Sequence, residues 1–281
     1  MKPGEAGLLP EGVRQRPVLR WNQGRTEAHA DCLAEEVPVA LVFNGLSHAV
    51  MMASPADLED FALGFALSEG LLQGADELYG TELQAACAGI EVHLQVSSRS
   101  FMALKERRRN LAGRTGCGLC GTESLDHVRR ELPPLPATAV TAAALALAQG
   151  SLCQWQVLQQ FTGATHAAAW CALDGQVQLL REDVGRHNAL DKLIGAMVRA
   201  DVSPQQGFIA ITSRASFEMV QKTAMAGVGL LAAVSAPTML AVDLAEQAGL
   251  ALAGFVRDDG FVAYTFADRF GLTIESTPHG K

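Results

Sequence analysis

The rhythm of apolar and polar positions changes several times along the chain, and each change marks an element. Residues 37–43 and 47–52 are two short β-favouring runs around Asn44-Gly45. That dipeptide suits a two-residue hairpin turn because both positions accept positive φ. A helix is predicted directly after it, with Ser54 as cap, Pro55 in the first turn and Asp57 as the capping-box acid. Leu58, Phe61, Leu63, Phe65, Leu67 and Leu71 make much of that helix apolar, so it belongs in a core. Residues 90–96 alternate strictly as a half-buried strand does, and 101–111 read as a helix that ends in charge. The first 35 residues show no sustained period and contain Pro and Gly, which predicts an arm ordered only where it lies on the body.

The second half alternates more regularly. Thr141 opens an Ala- and Leu-rich helical stretch to about residue 160, and residues 165–173 and 176–180 form a hairpin about Asp174-Gly175. Helices at 186–200, 216–227 and 237–248 then interleave with strands at 207–212, 229–234, 250–256 and 261–266. Strands alternating with helices of this length predict an α/β fold in which helices cover the faces of a layered mixed sheet. Met219, Met225 and Met239 fall in apolar helices and read as core filler. Pro133-Pro134-Leu135-Pro136 looks like a linker between the two halves.

Composition narrows the function classes. The chain has 281 residues, 49% hydrophobic and 19% charged, with 22 Lys+Arg against 30 Asp+Glu and a formal charge of −8. A globular composition with a net negative charge offers no global field for nucleic acid or an anionic membrane, so any anionic partner must be met locally. No apolar run is long enough to span a bilayer and the N-terminal residues lack a secretory pattern, which predicts a cytoplasmic protein. Six cysteines in this length are too sparse for a disulfide scaffold, and reduced thiols are expected.

The most unusual segment is Gly113-Arg-Thr-Gly-Cys117-Gly-Leu-Cys120-Gly121, whose glycines disfavour a helix or a central strand. A Cys-x-x-Cys pair serves as half of a zinc site, as a redox dithiol or as a nucleophilic sulfur site. No second such pair or His-x₃₋₅-His supplies zinc ligands, and the glycine wrapping differs from the strand-to-helix setting of a thioredoxin-type dithiol. Lys105, Arg107, Arg108, Arg109 and Arg114 precede the pair and would favour a thiolate at Cys117, the form that attacks a sulfur donor. Taken alone, the basic run also fits a solvated helix end. A zinc deaminase is disfavoured, because the cysteines precede His166 and the position two after it is Ala168 rather than Glu.

Two strand-to-helix junctions, Thr212-Ser213-Arg214-Ala215-Ser216 and Ser235-Ala236-Pro237-Thr238, bring hydroxyls and free N–H groups to helix starts. They suit phosphate, but for either junction alone ordinary N-capping is the favoured reading. Arg181-Glu182-Asp183-Val184-Gly185-Arg186-His187-Asn188 gathers charge at a third boundary, as a polar site or as a salt-bridged helix start. No Walker-type or dinucleotide-type glycine loop is present, so ATP or NAD binding is not indicated.

The order of Arg114-Thr-Gly-Cys117-Gly-Leu-Cys120-Gly121, Thr165-His-Ala-Ala-Ala169, Glu182-Asp-Val-Gly-Arg-His187, Ala189-Leu-Asp-Lys-Leu193 and Ser213-Arg-Ala-Ser-Phe-Glu-Met-Val-Gln-Lys222 closely resembles the FdhD family. These are the formate dehydrogenase accessory sulfurtransferases, and the resemblance runs from about residue 36 to 266. It implies a cytidine deaminase-like α/β domain at 141–281 and a smaller α/β part at 36–132 ending in the Cys loop. An N-terminal arm at 1–35 and a linker at 133–140 complete the organisation.

The resemblance also implies a sulfurtransferase that takes persulfide sulfur from a cysteine desulfurase. It passes that sulfur to the molybdenum or tungsten bis-guanine-dinucleotide pterin cofactor, Mo-bis(molybdopterin guanine dinucleotide), which is a bound substrate rather than a resident group. The partners implied are the desulfurase, the formate dehydrogenase catalytic subunit and a second copy in a homodimer. By the same resemblance Cys117 is the persulfide cysteine and Cys120 its partner. The cofactor-binding segment maps onto Phe255, Val256, Arg257, Asp258, Asp259 and Gly260, where the acidic pair departs from the more basic family pattern. The competing readings are a non-catalytic cofactor-insertion chaperone and a thiol-disulfide oxidoreductase.

Overall fold

A computed structural model describes residues 9–112 and 132–272, with backbone only for 107–112. Three sheets organise these residues. The first is a ribbon of β1 (Val13–Asn22) and β2 (Arg25–Ala34), paired antiparallel from Val13↔Ala34 to Asn22↔Arg25. This corrects the irregular arm expected there. Gln23 and Gly24 both take positive φ, 47° and 81°, so the two-residue turn closes a hairpin that the mixed polar composition concealed.

The second sheet has the order β4-β3-β6-β5, with β3 (Val37–Phe43) and β4 (Leu46–Ala53) forming the predicted hairpin. Asn44 and Gly45 take φ of 44° and 80°, and the Asn44 amide also exchanges two bonds with the main chain of Val96. The strand at 90–96 is β6 (Gly89–Val96), parallel to β3, and β5 (Leu78–Ala86) pairs antiparallel beside it. β5 was not foreseen, since its residues are mostly exposed and do not alternate. Helices α1 (Leu58–Ser68) and α2 (Ser98–Ala112) belong to this layer, and Val39, Leu41, Phe43, Phe61, Phe65, Val92 and Leu94 fill its core.

The third sheet has the order β12-β11-β10-β9-β7-β8. Its strands are β7 (His166–Ala172), β8 (Val177–Asp183), β9 (Gly207–Ile211), β10 (Leu230–Ala233), β11 (Ala251–Arg257) and β12 (Gly260–Thr265). β9, β10 and β11 are parallel, whereas β7, β8 and β12 run antiparallel to their neighbours. Alternation sorts the side chains. Trp170, Ile209, Ile211, Leu231 and Leu252 face α5 (Arg186–Arg199), α6 (Phe217–Met225) and α7 (Met239–Ala248), while Cys171, Phe208, Ala210, Leu230 and Ala253 face α3 (Ala142–Trp155).

Two helix ends and one expected core residue differ from expectation. The stretch opened by Thr141, whose hydroxyl caps Ala144 N–H as predicted, breaks at Gln156 into α3 and the short α4 (Val157–Thr162). Ser54 does not cap α1, which starts at Leu58 after Asp57 in the left-handed region with no side-chain cap. Met239 is 75% exposed and therefore is not core, in contrast to the buried Met219. The linker residues run without regular structure from 132 to 140, packed on the body: Val140 N–H donates to the Arg269 carbonyl and Thr138 is buried.

The two larger sheets meet through α1 and α5, which cross at two glycines. A Cβ on Gly64 would stand 1.7 Å from the Asp191 carbonyl oxygen, and one on Gly195 would stand 1.9 Å from that of Asp60. Both neighbours are backbone and cannot step aside. Gly64→Ala is therefore expected to lower stability by about 3 kcal/mol, the upper part of the range for overpacking. Urea unfolding at constant m-value measures it; an unchanged midpoint would show that the helices slide apart freely.

Candidate functional site

Parallel β9, β10 and β11 release their chains at one edge of the large sheet, where crevices form in open α/β folds. β7 begins and β8 ends at that edge, so every polar junction singled out in the second half of the sequence meets there. Main-chain bonds tie the loops together: Thr212 N–H donates to the Ala167 carbonyl, Thr238 N–H to that of Ala215 and Phe255 N–H to that of Ser235. Ala215 and Pro237 form a parallel bridge, which sets the two predicted anion junctions side by side. α5, α6 and α7 all point their N-termini at this edge, so the first-turn N–H groups of three helices converge there.

The two readings of those junctions divide. At Thr238 capping wins, since its hydroxyl accepts from Ala241 N–H. At Ser216 it does not: the residue occupies the N-cap of α6, but its buried Oγ has no hydrogen-bond partner among the described residues, nor has the buried Nε of Arg186 at the start of α5. Such atoms cost free energy unless something binds them. Arg214 is exposed at the same junction.

His166 and His187 flank the edge. Burial lowers the pKa of His166, and the Arg186 guanidinium lowers it further. Burial also lowers that of His187; Glu218 opposes, Arg186 and Lys222 reinforce, and Glu69 opposes. Both imidazoles are therefore neutral at pH 7. Between the folded and unfolded pKa values the unfolded chain binds more protons, so stability rises with pH in that window. Unfolding free energy is expected to fall as pH drops below about 6.5, the free-histidine value. His166→Gln should reduce the slope, and denaturation midpoints between pH 7.5 and 5.5 measure both effects. A slope unchanged by the substitution would assign the titration elsewhere.

Beside His166 lies a recess of about 410 Å³ lined by Gln156, Gln159, Thr165 and Thr212 among others. Its wall is held by the buried Glu182, whose carboxylate accepts from Leu158 and Gln159 N–H and from the Thr165 hydroxyl. The segment from Arg181 to Asn188 is thus partly structural. Asp183 is wholly buried and its carboxylate takes the Ser54 and Gly185 N–H groups, the Asn188 amide and the Lys192 ammonium at 2.7 Å. Lys192 is equally buried and also donates to the Ser54 carbonyl at 3.0 Å. Ser54 therefore binds the β8–α5 turn instead of capping α1. These partners were invisible in the sequence, although Asp191, Lys192 and Lys222 inside otherwise apolar helices were the available signal.

The expected cofactor-binding segment leaves β11 at this same edge, and within it Phe255 stands beside Ser235. It sits in a bulge of β11 at φ 53°, an unusual conformation for a bulky residue, with its side chain partly exposed. Val256 is 1% exposed and its side chain turns into the α3 core. Arg257, Asp258, Asp259 and Gly260 form the exposed β11–β12 turn, with Asp258 near Gly150 of α3. Cys117 and Cys120 lie outside the described residues, as does Arg114; Lys105 is described, with its ammonium 4.2 Å over the Phe101 ring. Among the described cysteines, Cys171 is buried in the sheet and its thiol is pushed up to about 12, which suppresses the thiolate.

No described helix is long and apolar enough to cross a membrane. A model of the FdhD/NarQ family matches residues 34–271. A sulfur carrier protein FdhD of Variovorax paradoxus is 60% identical over 267 residues, covering 94% of this chain and 93% of the relative. That of Cupriavidus necator is 56% identical over 255 residues, covering 90% and 88%. The crystal structure of a candidate formate dehydrogenase accessory protein from Desulfotalea psychrophila superposes with a TM-score of 0.74 at 21% identity, over 92% of this chain and 99% of that one.

Proposed function

The chain belongs to the FdhD/NarQ family, and from that premise we propose that it is a sulfurtransferase for formate dehydrogenase with a cysteine persulfide intermediate. The observation that carries the reading is the Cys117-x-x-Cys120 pair in its glycine-rich, Arg-preceded segment, within a chain 60% identical to a protein named a sulfur carrier. A cysteine desulfurase supplies the persulfide. The Cys117 thiolate attacks its outer sulfur, a new S–S bond forms at Cys117, the donor's S–S bond breaks, and the proton lost by Cys117 returns to the donor thiolate.

The cargo's acceptor is the bis-guanine-dinucleotide molybdenum or tungsten cofactor, bound as substrate. The sheet edge supports that part of the reading. Ser216 Oγ and Arg186 Nε are buried donors without a partner among the described residues, three helix N-termini converge, and Arg214 adds an exposed cation, all suited to a pyrophosphate. Phe255, held beside Ser235, presents a ring on which a flat heterocycle can stack. The acidic Asp258 and Asp259 lie on the β11–β12 turn, so main-chain groups and Arg257 are the contacts left to that turn.

The test is intact mass after incubation with a cysteine desulfurase and L-cysteine, with and without reductant. A gain of one sulfur that reductant removes is expected. No adduct alongside retained binding of guanosine diphosphate, a fragment of the cargo, would replace the carrier with a cofactor-insertion chaperone. A stable Cys117–Cys120 disulfide with turnover of small dithiols would instead indicate an oxidoreductase. The cytoplasm is the compartment in which such thiols stay reduced, and a homodimer is the assembly expected by family.

A further inference from the structure

The face of α5 that meets α1 and α6 carries charge where an apolar seam would be expected. His187 and Asp191 are one turn apart on α5, and Glu218 and Lys222 one turn apart on α6, so the two helices face each other in two rungs. The outer rung brings His187 Nε2 to 2.6 Å from a Glu218 carboxylate oxygen. The inner rung is buried: Lys222 Nζ stands 2.9 and 3.0 Å from the two oxygens of Asp191. The same ammonium donates to the Ser68 hydroxyl at 3.0 Å and to Glu69 at 2.8 Å, both at the end of α1. Ser68 in turn donates to Asp191 at 2.6 Å.

Lys222 thus joins three helices at one point. Its desolvation is opposed by Asp191 and Glu69, which together hold the ammonium charged. A buried pair of this kind contributes little net stability but permits few alternative packings. One turn above it stand the groups that border the sheet edge, namely Arg186, His187 and Glu218.

We infer that Lys222 is a positioning residue: by clamping Ser68 and Glu69 of α1 to Asp191 of α5, it sets where Arg186, His187 and Glu218 stand at the sheet edge. The small sheet thereby controls the geometry of a site built on the large one. The inference rests on the reading that the edge takes a guanine nucleotide, but half of its test does not.

Two quantities are read on the full chain: the His187 titration by NMR, and the affinity for guanosine diphosphate. The informative variant is Lys222→Met with Asp191→Leu, which removes one charge of each sign. Ser68 keeps the Phe65 carbonyl as an acceptor and Glu69, partly exposed, turns to water. Replacement of a buried pair by apolar groups of similar volume preserves folding, so the melting temperature should hold. The His187 titration should nevertheless shift, and nucleotide affinity should fall about tenfold, within the ordinary range for coupling between sites. Lys222→Met alone should raise the His187 pKa and Glu69→Gln should lower it, because these groups act on the imidazole with opposite signs.

A folded double variant with an unchanged His187 titration overturns the inference, whether or not nucleotide binds. Should the double variant unfold, Glu69→Gln, which loosens the clamp at the end of α1, overturns it if neither the His187 titration nor the nucleotide affinity moves from the parent. Loss of nucleotide binding in the unsubstituted chain, with the His187 shifts as expected, would instead retire the edge as the cofactor site and leave the clamp standing.

Discussion

Cys117→Ala is expected to end sulfur loading, with no reducible adduct after desulfurase treatment and formate dehydrogenase left at the activity seen without the carrier. The expectation follows from the division of labour among the thiols. Cys171 is sealed in the sheet with its thiol pushed up to about 12, where almost no thiolate exists near neutral pH. Cys87 and Cys153 are exposed on the β5–β6 turn and on α3, and Cys32 lies on the ribbon, each far along the chain from the Arg-preceded glycine segment. A nucleophile removed from its chemistry costs the whole step, since no neighbour substitutes for the bond it makes. Cys120→Ala separates loading from delivery. If Cys120 releases the cargo, the variant loads normally and delivers more slowly in a single turnover; unchanged delivery would remove that role. Retained loading in Cys117→Ala would move the persulfide to another cysteine and refute the assignment.

Lys192→Met should cost about 3–5 kcal/mol of stability, the usual result of breaking one side of a buried ion pair. Lys192 and Asp183 are both fully buried, 2.7 Å apart, and the ammonium also holds the Ser54 carbonyl. Without it the carboxylate keeps its N–H donors but loses the only ammonium it contacts among the described residues, inside a low-dielectric interior. Combining Lys192→Met with Asp183→Leu should recover part of the loss, because no charge is then stranded. The recovery is incomplete, since the Ser54, Gly185 and Asn188 donors lose their acceptor. Urea midpoints for the two variants measure the difference. A single variant as stable as the parent would show that water or another cation reaches Asp183.

Local signals were sufficient for much of this architecture. The Asn44-Gly45 and Asp174-Gly175 hairpins, the strand at 90–96 and the whole β–α alternation after residue 186 were legible because each depends on neighbours in the chain: turn φ values, a period of two or of 3.6, a capping hydroxyl. The ribbon at 13–34 escaped because its strands are mostly exposed, so no apolar alternation marks them. Ser54 was misread for a related reason. A serine before a helix carries the same local signature whether its hydroxyl caps that helix or accepts from a main-chain N–H 130 positions away, as that of Ser54 does from Val184.

The site divides along the same line. Cys117, Cys120 and the ordered run of motifs identify the family from the chain alone, since motifs are strings and need no third dimension. Which junction hydroxyl is spent on a cap, which expected contact is buried, and which lysines bind the two sheets together depend on groups brought close by folding. Thr238 and Ser216 look alike in the sequence, yet the hydroxyl of one accepts from Ala241 and that of the other has no partner among the described residues. Val256 and Phe255 are adjacent, yet the pleat and bulge of β11 send one into the core and the other to the edge. Composition and period determine elements because those energies are local; pairing of Lys192 with Asp183 or of Lys222 with Asp191, Ser68 and Glu69 is decided only when burial removes water and makes each partner obligatory.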